Sequence, residues 1–272
     1  MSWPDARGGP ARFVAVERRV RPCARLFFFP HAGGGPSAGS VLRDLLPPHI
    51  EPWVVSLPGR QGRQDEPPAT DLDSVVADLA GALAGFEDLP HALFGYCAGA
   101  LPALLVARES RPARLFVGSF AAPDVASIPR RLHLLPHDAF WTAVLDQGGI
   151  PPQLARHEEL RAVFEPVLRQ DFAMYAGYRH RAAPPMDVPV TVLVGRDDPH
   201  LGRGAVLGWR RQSRYPLDLS ELAAGHWLLE AGAGELVATI ADRMRADRIG
   251  ADRMGADLDH GRQRAIASRT GT

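Results

Sequence analysis

The chain of 272 residues carries 31 basic and 31 acidic side chains, so bulk charge gives no reason to expect a nucleic-acid or membrane-surface partner. With 46% apolar residues it can build one substantial α/β core, close to the upper size at which a single core persists. Only two cysteines occur, Cys23 and Cys97, which excludes a disulfide framework and fits a reducing cytoplasm, and no window reaches the length of a membrane span.

Residues 1–20 contain Pro4, Asp5, Gly8, Gly9 and Pro10 and no continuous apolar run, so they read as an N-terminal extension and not as a signal peptide. Strand-like runs then recur at Ala24 to Phe29, Pro52 to Leu57, Ala92 to Tyr96, Leu115 to Ser119 and Val188 to Val194, with a weaker one at Leu217 to Leu222. Amphipathic stretches such as Leu72 to Phe86 separate them. This alternation predicts an α/β fold with a mostly parallel sheet flanked by helices. Between Ser119 and Val188 the alternation breaks, and helix formers fill His137 to Leu145 and His157 to Tyr178. A helical lid insertion over about 121–186 is the expected result.

From His226 to Met244 the apolar spacing predicts a closing helix, so the domain is placed at 21–244. Beyond Ala241 the chain repeats every five residues, as in Ala246-Asp247-Arg248-Ile249 and Ala251-Asp252-Arg253-Met254. Five matches neither helix nor strand, and 245–272 reads as a low-complexity, disordered tail.

Chemistry concentrates around Gly95-Tyr96-Cys97-Ala98-Gly99, directly after the apolar run Ala92-Leu93-Phe94. This is the pattern of a nucleophile elbow with a thiol at its centre: a strand ends, the chain turns sharply and a helix begins. Gly95 and Gly99 remove the Cβ atoms that would clash in so tight a turn. Nucleophilic acyl chemistry also needs a base, a group to orient it and N–H donors for the oxyanion.

Candidates follow in the order expected of α/β-hydrolases. Asp197 and Asp198 come after the run Val192-Leu193-Val194-Gly195, and His226 lies in Ala224-Gly225-His226-Trp227. The acid of such layouts falls three residues after the glycine ending its strand, which selects Asp198 and leaves Asp197 as a turn or cap residue. His200 sits in the acid loop and is expected to face solvent or the rim of the cleft. The oxyanion hole is assigned to the N–H groups of Ala98 and of Ala32, the latter in the loop Pro30-His31-Ala32-Gly33-Gly34-Gly35. That loop lacks the lysine and hydroxyl of a phosphate-binding loop. His31 is either a cleft residue or a structural one. Cys23 reads as a small apolar residue ahead of a strand.

Taken together, Phe29-Pro30-His31-Ala32-Gly33-Gly34, Leu57-Pro58-Gly59-Arg60 with Arg63, the elbow, Asp171-Phe172, Tyr178, Pro189, Gly195-Arg196-Asp197-Asp198-Pro199 and Gly225-His226 resemble the type II thioesterases of non-ribosomal peptide and polyketide synthases. The similarity runs from about Leu26 to Met244. It implies an α/β-hydrolase fold with a helical lid, acyl thioesters on the phosphopantetheine of acyl or peptidyl carrier proteins as substrates, and no cofactor or metal beyond that arm. A monomer is expected.

The departure is Cys97, where such enzymes generally carry serine. Serine converts a thioester into an oxygen ester, a downhill step, whereas cysteine exchanges one thioester for another at near-equal free energy. Hydrolysis of acyl or aminoacyl groups and their transfer between carriers are therefore both open, as is an acyltransferase without hydrolysis. A lactone hydrolase of the dienelactone type and a non-catalytic binding scaffold are the rival readings. Arg60 and Arg63 either shape their loop or meet an acidic carrier surface, although arginines beside a turn are more often structural or solvated.

Overall fold

The computed structural model describes residues 11–60 and 62–248. Strands β1 (Phe13–Ala15), β2 (Ala24–Phe29), β3 (Ile50–Val55), β4 (His91–Tyr96), β5 (Arg114–Gly118), β6 (Val190–Gly195) and β7 (Asp218–Leu222) form one sheet in the order β1-β3-β2-β4-β5-β6-β7. β1 pairs antiparallel with β3, and all other pairs are parallel. The helices are α1 (Ser40–Leu45), α2 (Leu72–Leu83), α3 (Ala100–Ser110), α4 (His137–Asp146), α5 (Pro152–Ala155), α6 (Arg161–Ala176), α7 (Arg203–Leu207), α8 (Leu228–Ala231) and α9 over 233–248.

β2 and β6 are buried along their whole length, as parallel strands covered on both faces must be. Side chains alternate accordingly. Phe27, Leu93, Leu115 and Val192 pack under α2 and α3, while Leu26, Phe28, Phe94, Phe116 and Leu193 meet Leu42 of α1, Leu228 of α8 and Leu236 and Ile240 of α9. Asp71 caps α2 by accepting the Ser74 N–H at 2.8 Å. A third apolar cluster, with Phe140, Trp141, Val144 and Leu168, holds together the helical insertion between β5 and β6.

The structure shows the α/β-hydrolase arrangement expected from the sequence, with four differences of detail. Phe13–Ala15, inside the segment read as an extension, forms β1 and pairs with Trp53, Val54 and Val55. β3 begins at Ile50, so Pro52 lies inside the strand and not at its start; its carbonyl accepts the Val16 N–H, and the lost donor is tolerated beside so short a neighbour. The predicted closing helix is broken: His226 and Trp227 lie in a loop, α8 ends at Ala231, and α9 runs on past Met244 to 248. Arg114 fastens that end through Asp247 at 2.6 Å, and Arg243 grips Asp218 at 2.6 Å. The rest of the expected tail lies outside the described residues.

One feature of the strand order places the site. The chain leaves β2 toward β3 and then returns to the other side of β2 as β4. The carboxyl ends of β2 and β4 therefore lie side by side at a topological switch point, where ligands of open α/β sheets bind.

Candidate active site

β4 ends at Tyr96, and Cys97 takes φ of +50° before a single turn leads into α3. A non-glycine residue in this conformation is strained, and the turn lifts its side chain out of the sheet edge. The flanking glycines are required by contact. A Cβ on Gly95 would lie 2.5 Å from the Ala100 Cα, and one on Gly99 would run into the carbonyl oxygens of Phe29 and Pro30. The elbow and the loop after β2 thus touch backbone to backbone.

Asp198 follows the end of β6 and His226 follows β7. His226 Nδ1 and the Asp198 Oδ2 are 2.8 Å apart, and His226 Nε2 is 3.4 Å from the Cys97 Sγ. Asp198 is only 1% exposed at its side chain, and its other oxygen accepts the His200 N–H at 2.9 Å. Burial favours the neutral acid, but the hydrogen bond and charge of His226 outweigh it and hold the Asp198 carboxyl below its ordinary range. Burial likewise works against a charged His226, yet the hydrogen bonds to Asp198 and Cys97 dominate and push its pKa up to about 10. An imidazole held between a buried carboxylate and a thiol can take the thiol proton and keep it.

Asp197 is exposed and contributes its N–H to the Ala224 carbonyl, consistent with a turn residue. His200 is exposed at the rim, its ring 6.3 Å from that of His226. Ala32 and Ala98 both border the cavity that contains Cys97 and His226, which has a volume of about 240 Å³. Leu101, Phe120, Ile128, Val144, Phe172 and Tyr175 give that cavity an apolar wall drawn partly from the lid, and among the described residues no carboxylate lines it. Among the described residues no group of three or more His, Cys, Asp or Glu side chains is placed to hold a metal ion. No described helix is long and apolar enough to cross a membrane.

Two side chains around this set, Tyr96 and Ser119, were not visible as site residues in the sequence. The His226 carbonyl accepts from the Tyr96 hydroxyl at 2.9 Å and from Ser119 Oγ at 2.8 Å, so two strand ends pin the histidine loop. Ser119 has φ of +48°, a strained conformation at the carboxyl end of β5, and position at that edge was its only sequence signal. His31 packs edge-on against Trp227 at 5.1 Å, and burial, with Arg60 and His226 nearby, lowers its pKa to about 4.

Arg60 and Arg63 are buried and paired, so neither is solvated nor free to meet a carrier. Arg63 donates to Glu66 at 2.6 Å and to the Ser56 carbonyl at 2.9 Å, while Arg60 pairs with Asp171. Cys23 is half-buried beside the start of β2 and remote from the cavity residues.

Residues 24–244 match the thioesterase domain family. The chain is 35% identical over 243 residues to the AMB antimetabolite synthetase AmbE of Pseudomonas aeruginosa, spanning 86% of this chain but only 11% of that protein. It is 30% identical to the thioesterase PikA5 of Streptomyces venezuelae over 84% of each chain. The type II thioesterase BorB from the borrelidin biosynthetic cluster superposes with a TM-score of 0.76 at 27% identity, over 85% of this chain and 96% of that one. The strand order, the elbow and these similarities agree: the chain belongs to the thioesterase family and has type II thioesterases of peptide and polyketide pathways among its homologues.

Proposed function

We propose that this chain processes acyl thioesters carried on the phosphopantetheine arm of acyl or peptidyl carrier proteins, through a covalent acyl group on Cys97. The observation that carries the reading is the Cys97, His226, Asp198 line at 3.4 Å and 2.8 Å, set at the switch point of a thioesterase-family fold. The family match and the thioesterases PikA5 and BorB support this substrate class over a lactone.

In the reading, His226 takes the Cys97 proton and the thiolate attacks the thioester carbonyl. The Ala32 and Ala98 N–H groups receive the developing oxyanion. The carbon–sulfur bond to pantetheine then breaks, and the leaving thiolate takes the proton back from His226. A second carrier thiol, or water, gives its proton to His226 and attacks the acyl-cysteine; the bond from the acyl carbon to the Cys97 Sγ breaks, and the departing thiolate takes the proton back from His226. The site needs no cofactor or metal beyond the carrier's own pantetheine arm, and the enzyme works as a monomer in a reducing cytoplasm, where Cys97 stays a free thiol.

Two features of the site refine the product and the substrate. A thiol nucleophile keeps the acyl group at thioester level, which favours handing it to another thiol. The apolar wall favours uncharged acyl groups, since among the described residues no carboxylate lines the cavity to pair with an entering ammonium.

The test loads one carrier protein with a labelled acyl group, adds the enzyme and a second empty carrier, and follows the label by intact mass. Label on the second carrier or enzyme-dependent free acid supports the reading, and the ratio of the two measures the transfer share. Label that stays on the first carrier sinks it.

A further inference from the structure

Asp171 and Arg60 stand outside the Cys97, His226, Asp198 set, yet their polar atoms converge on the loop that carries Ala32. Asp171 sits on α6 with its side chain 4% exposed, and Arg60 follows β3 with 7% exposed. The Asp171 Oδ1 pairs with the Arg60 guanidinium, and its Oδ2 accepts the Gly33 N–H at 2.6 Å. A second nitrogen of Arg60 donates to the Gly34 carbonyl. Gly33 itself has φ of +76°, and a Cβ there would lie 2.8 Å from the Leu168 Cδ2, also on α6. Helix and loop therefore pack without clearance.

A buried ion pair is kept at the cost of dehydrating both charges, and apolar residues of similar size are often as stable. Here each partner directs a further hydrogen bond at the same short stretch of backbone. Ala32 is the residue immediately before that stretch, and it faces the Cys97 cavity. The lid also hangs on this helix: Arg169 of α6 donates to the His133 and Leu135 carbonyls at 2.8 Å, and Glu165 accepts from Trp141 at 2.6 Å.

We propose that Asp171 is a positioning residue: with Arg60 it clamps the Gly33–Gly34 backbone to α6 and so holds the Ala32 N–H where the oxyanion forms. The inference rests on the reading of Cys97 as acyl acceptor with Ala32 and Ala98 as oxyanion donors. Asp171 acts only through the backbone and does not touch the reacting atoms. By this account α6 is a fixed wall of the site, because lifting it would separate the ion pair and free the oxyanion loop.

Two paired variants test the clamp without leaving a buried charge unpaired. Arg60→Met with Asp171→Asn keeps an acceptor for the Gly33 N–H, and Arg60→Met with Asp171→Leu removes it. Turnover of an acyl-carrier thioester is compared with alkylation of Cys97 by iodoacetamide, a displacement at saturated carbon that uses the thiolate but no oxyanion hole. A loss of oxyanion-donor geometry predicts kcat about 10- to 100-fold lower in the leucine variant than in the asparagine variant, with KM nearly unchanged. The alkylation rates should match. Equal kcat in the two variants, or kcat and alkylation falling together, would overturn the clamp.

Hydrogen exchange on the unaltered protein provides an independent reading that needs neither folded variants nor turnover. The Gly33 amide should be protected as strongly as the amides of α6; exchange at the rate of an exposed loop amide would overturn the clamp. A wild-type protein that is alkylated at Cys97 but never acylated would count instead against the functional reading, and exchange would still decide the clamp.

Discussion

Replacing Asp198 with Asn keeps the shape of the side chain and removes the charge that faces His226. The 2.8 Å contact to His226 Nδ1 is a charge-assisted hydrogen bond made by a carboxylate 1% exposed to solvent, and it is a main reason that the His226 pKa reaches about 10. Hydrogen bonds to charged groups contribute about 1.5–3 kcal/mol, and at about 1.4 kcal/mol per factor of ten the charged imidazole loses about 10- to 150-fold in stability relative to its neutral form. The ion pair of that imidazolium with the Cys97 thiolate is weakened by up to this factor, so alkylation slows. The assay is the rate of Cys97 alkylation by iodoacetamide at neutral pH, read on the peptide that contains Cys97 so that Cys23 does not contribute. Asp197→Asn serves as the companion variant, because Asp197 is exposed and contributes only its backbone N–H to the loop. Wild-type reactivity in Asp198→Asn, or an equal loss in Asp197→Asn, would refute the assignment of the orienting acid.

Three further outcomes follow from the same geometry. Cys97→Ser places the acyl group in an oxygen ester, so transfer to a second carrier should fall much further than release of free acid in the two-carrier assay; parallel loss of both would remove the thiol from any special role. The apolar wall predicts that an isovaleryl-loaded carrier is processed about tenfold or more faster in kcat/KM than the same carrier loaded with leucine, from the cost of dehydrating an ammonium that no lining carboxylate among the described residues pairs; equal values would contradict the account of the lining. His31 is held neutral in the folded state, with its pKa lowered from 6.5 to about 4, whereas the unfolded chain takes up the proton below pH 6.5. Its stability contribution is therefore complete above pH 6.5 and is lost as pH falls through about 4. Urea midpoints of His31→Asn should fall less over that window than those of the wild type, and identical pH profiles would rule His31 out as their source.

Those parts of the site that rest on local geometry were readable from the sequence. Gly95 and Gly99 mark the elbow because no Cβ fits there, and the order Cys97, Asp198, His226 follows from strands that all end at one edge of a parallel sheet. β2 is legible to the residue because its apolar run has no polar interruption within it beyond Arg25. β1 was hidden because three residues give no measurable alternation, and Phe13 finds its place only by packing on Phe27 at 4.8 Å. Pro52 misplaced the start of β3, since a missing N–H argues against a strand interior unless the neighbouring strand leaves it unneeded.

The Asp171–Arg60 pair and the hold of Ser119 on the His226 carbonyl are tertiary contacts between distant segments, with no periodicity to announce them. For Arg60 the sequence left open a role in shaping its loop or in meeting a carrier, because sequence alone does not reveal that a lid helix returns to cover it. The break of the closing helix has a simpler cause. His226 must lie outside the helix to reach Cys97, so the helix begins only at Leu228, and Gly232 divides the rest into α8 and α9.

The central claim is that Cys97 carries the acyl group. Mixing the enzyme with an acyl-loaded carrier and quenching in acid should give intact enzyme heavier by the acyl group, with the added mass on the Cys97 peptide and absent from Cys97→Ala. Carrier turnover without any such species, together with full activity in Cys97→Ala, would contradict the account.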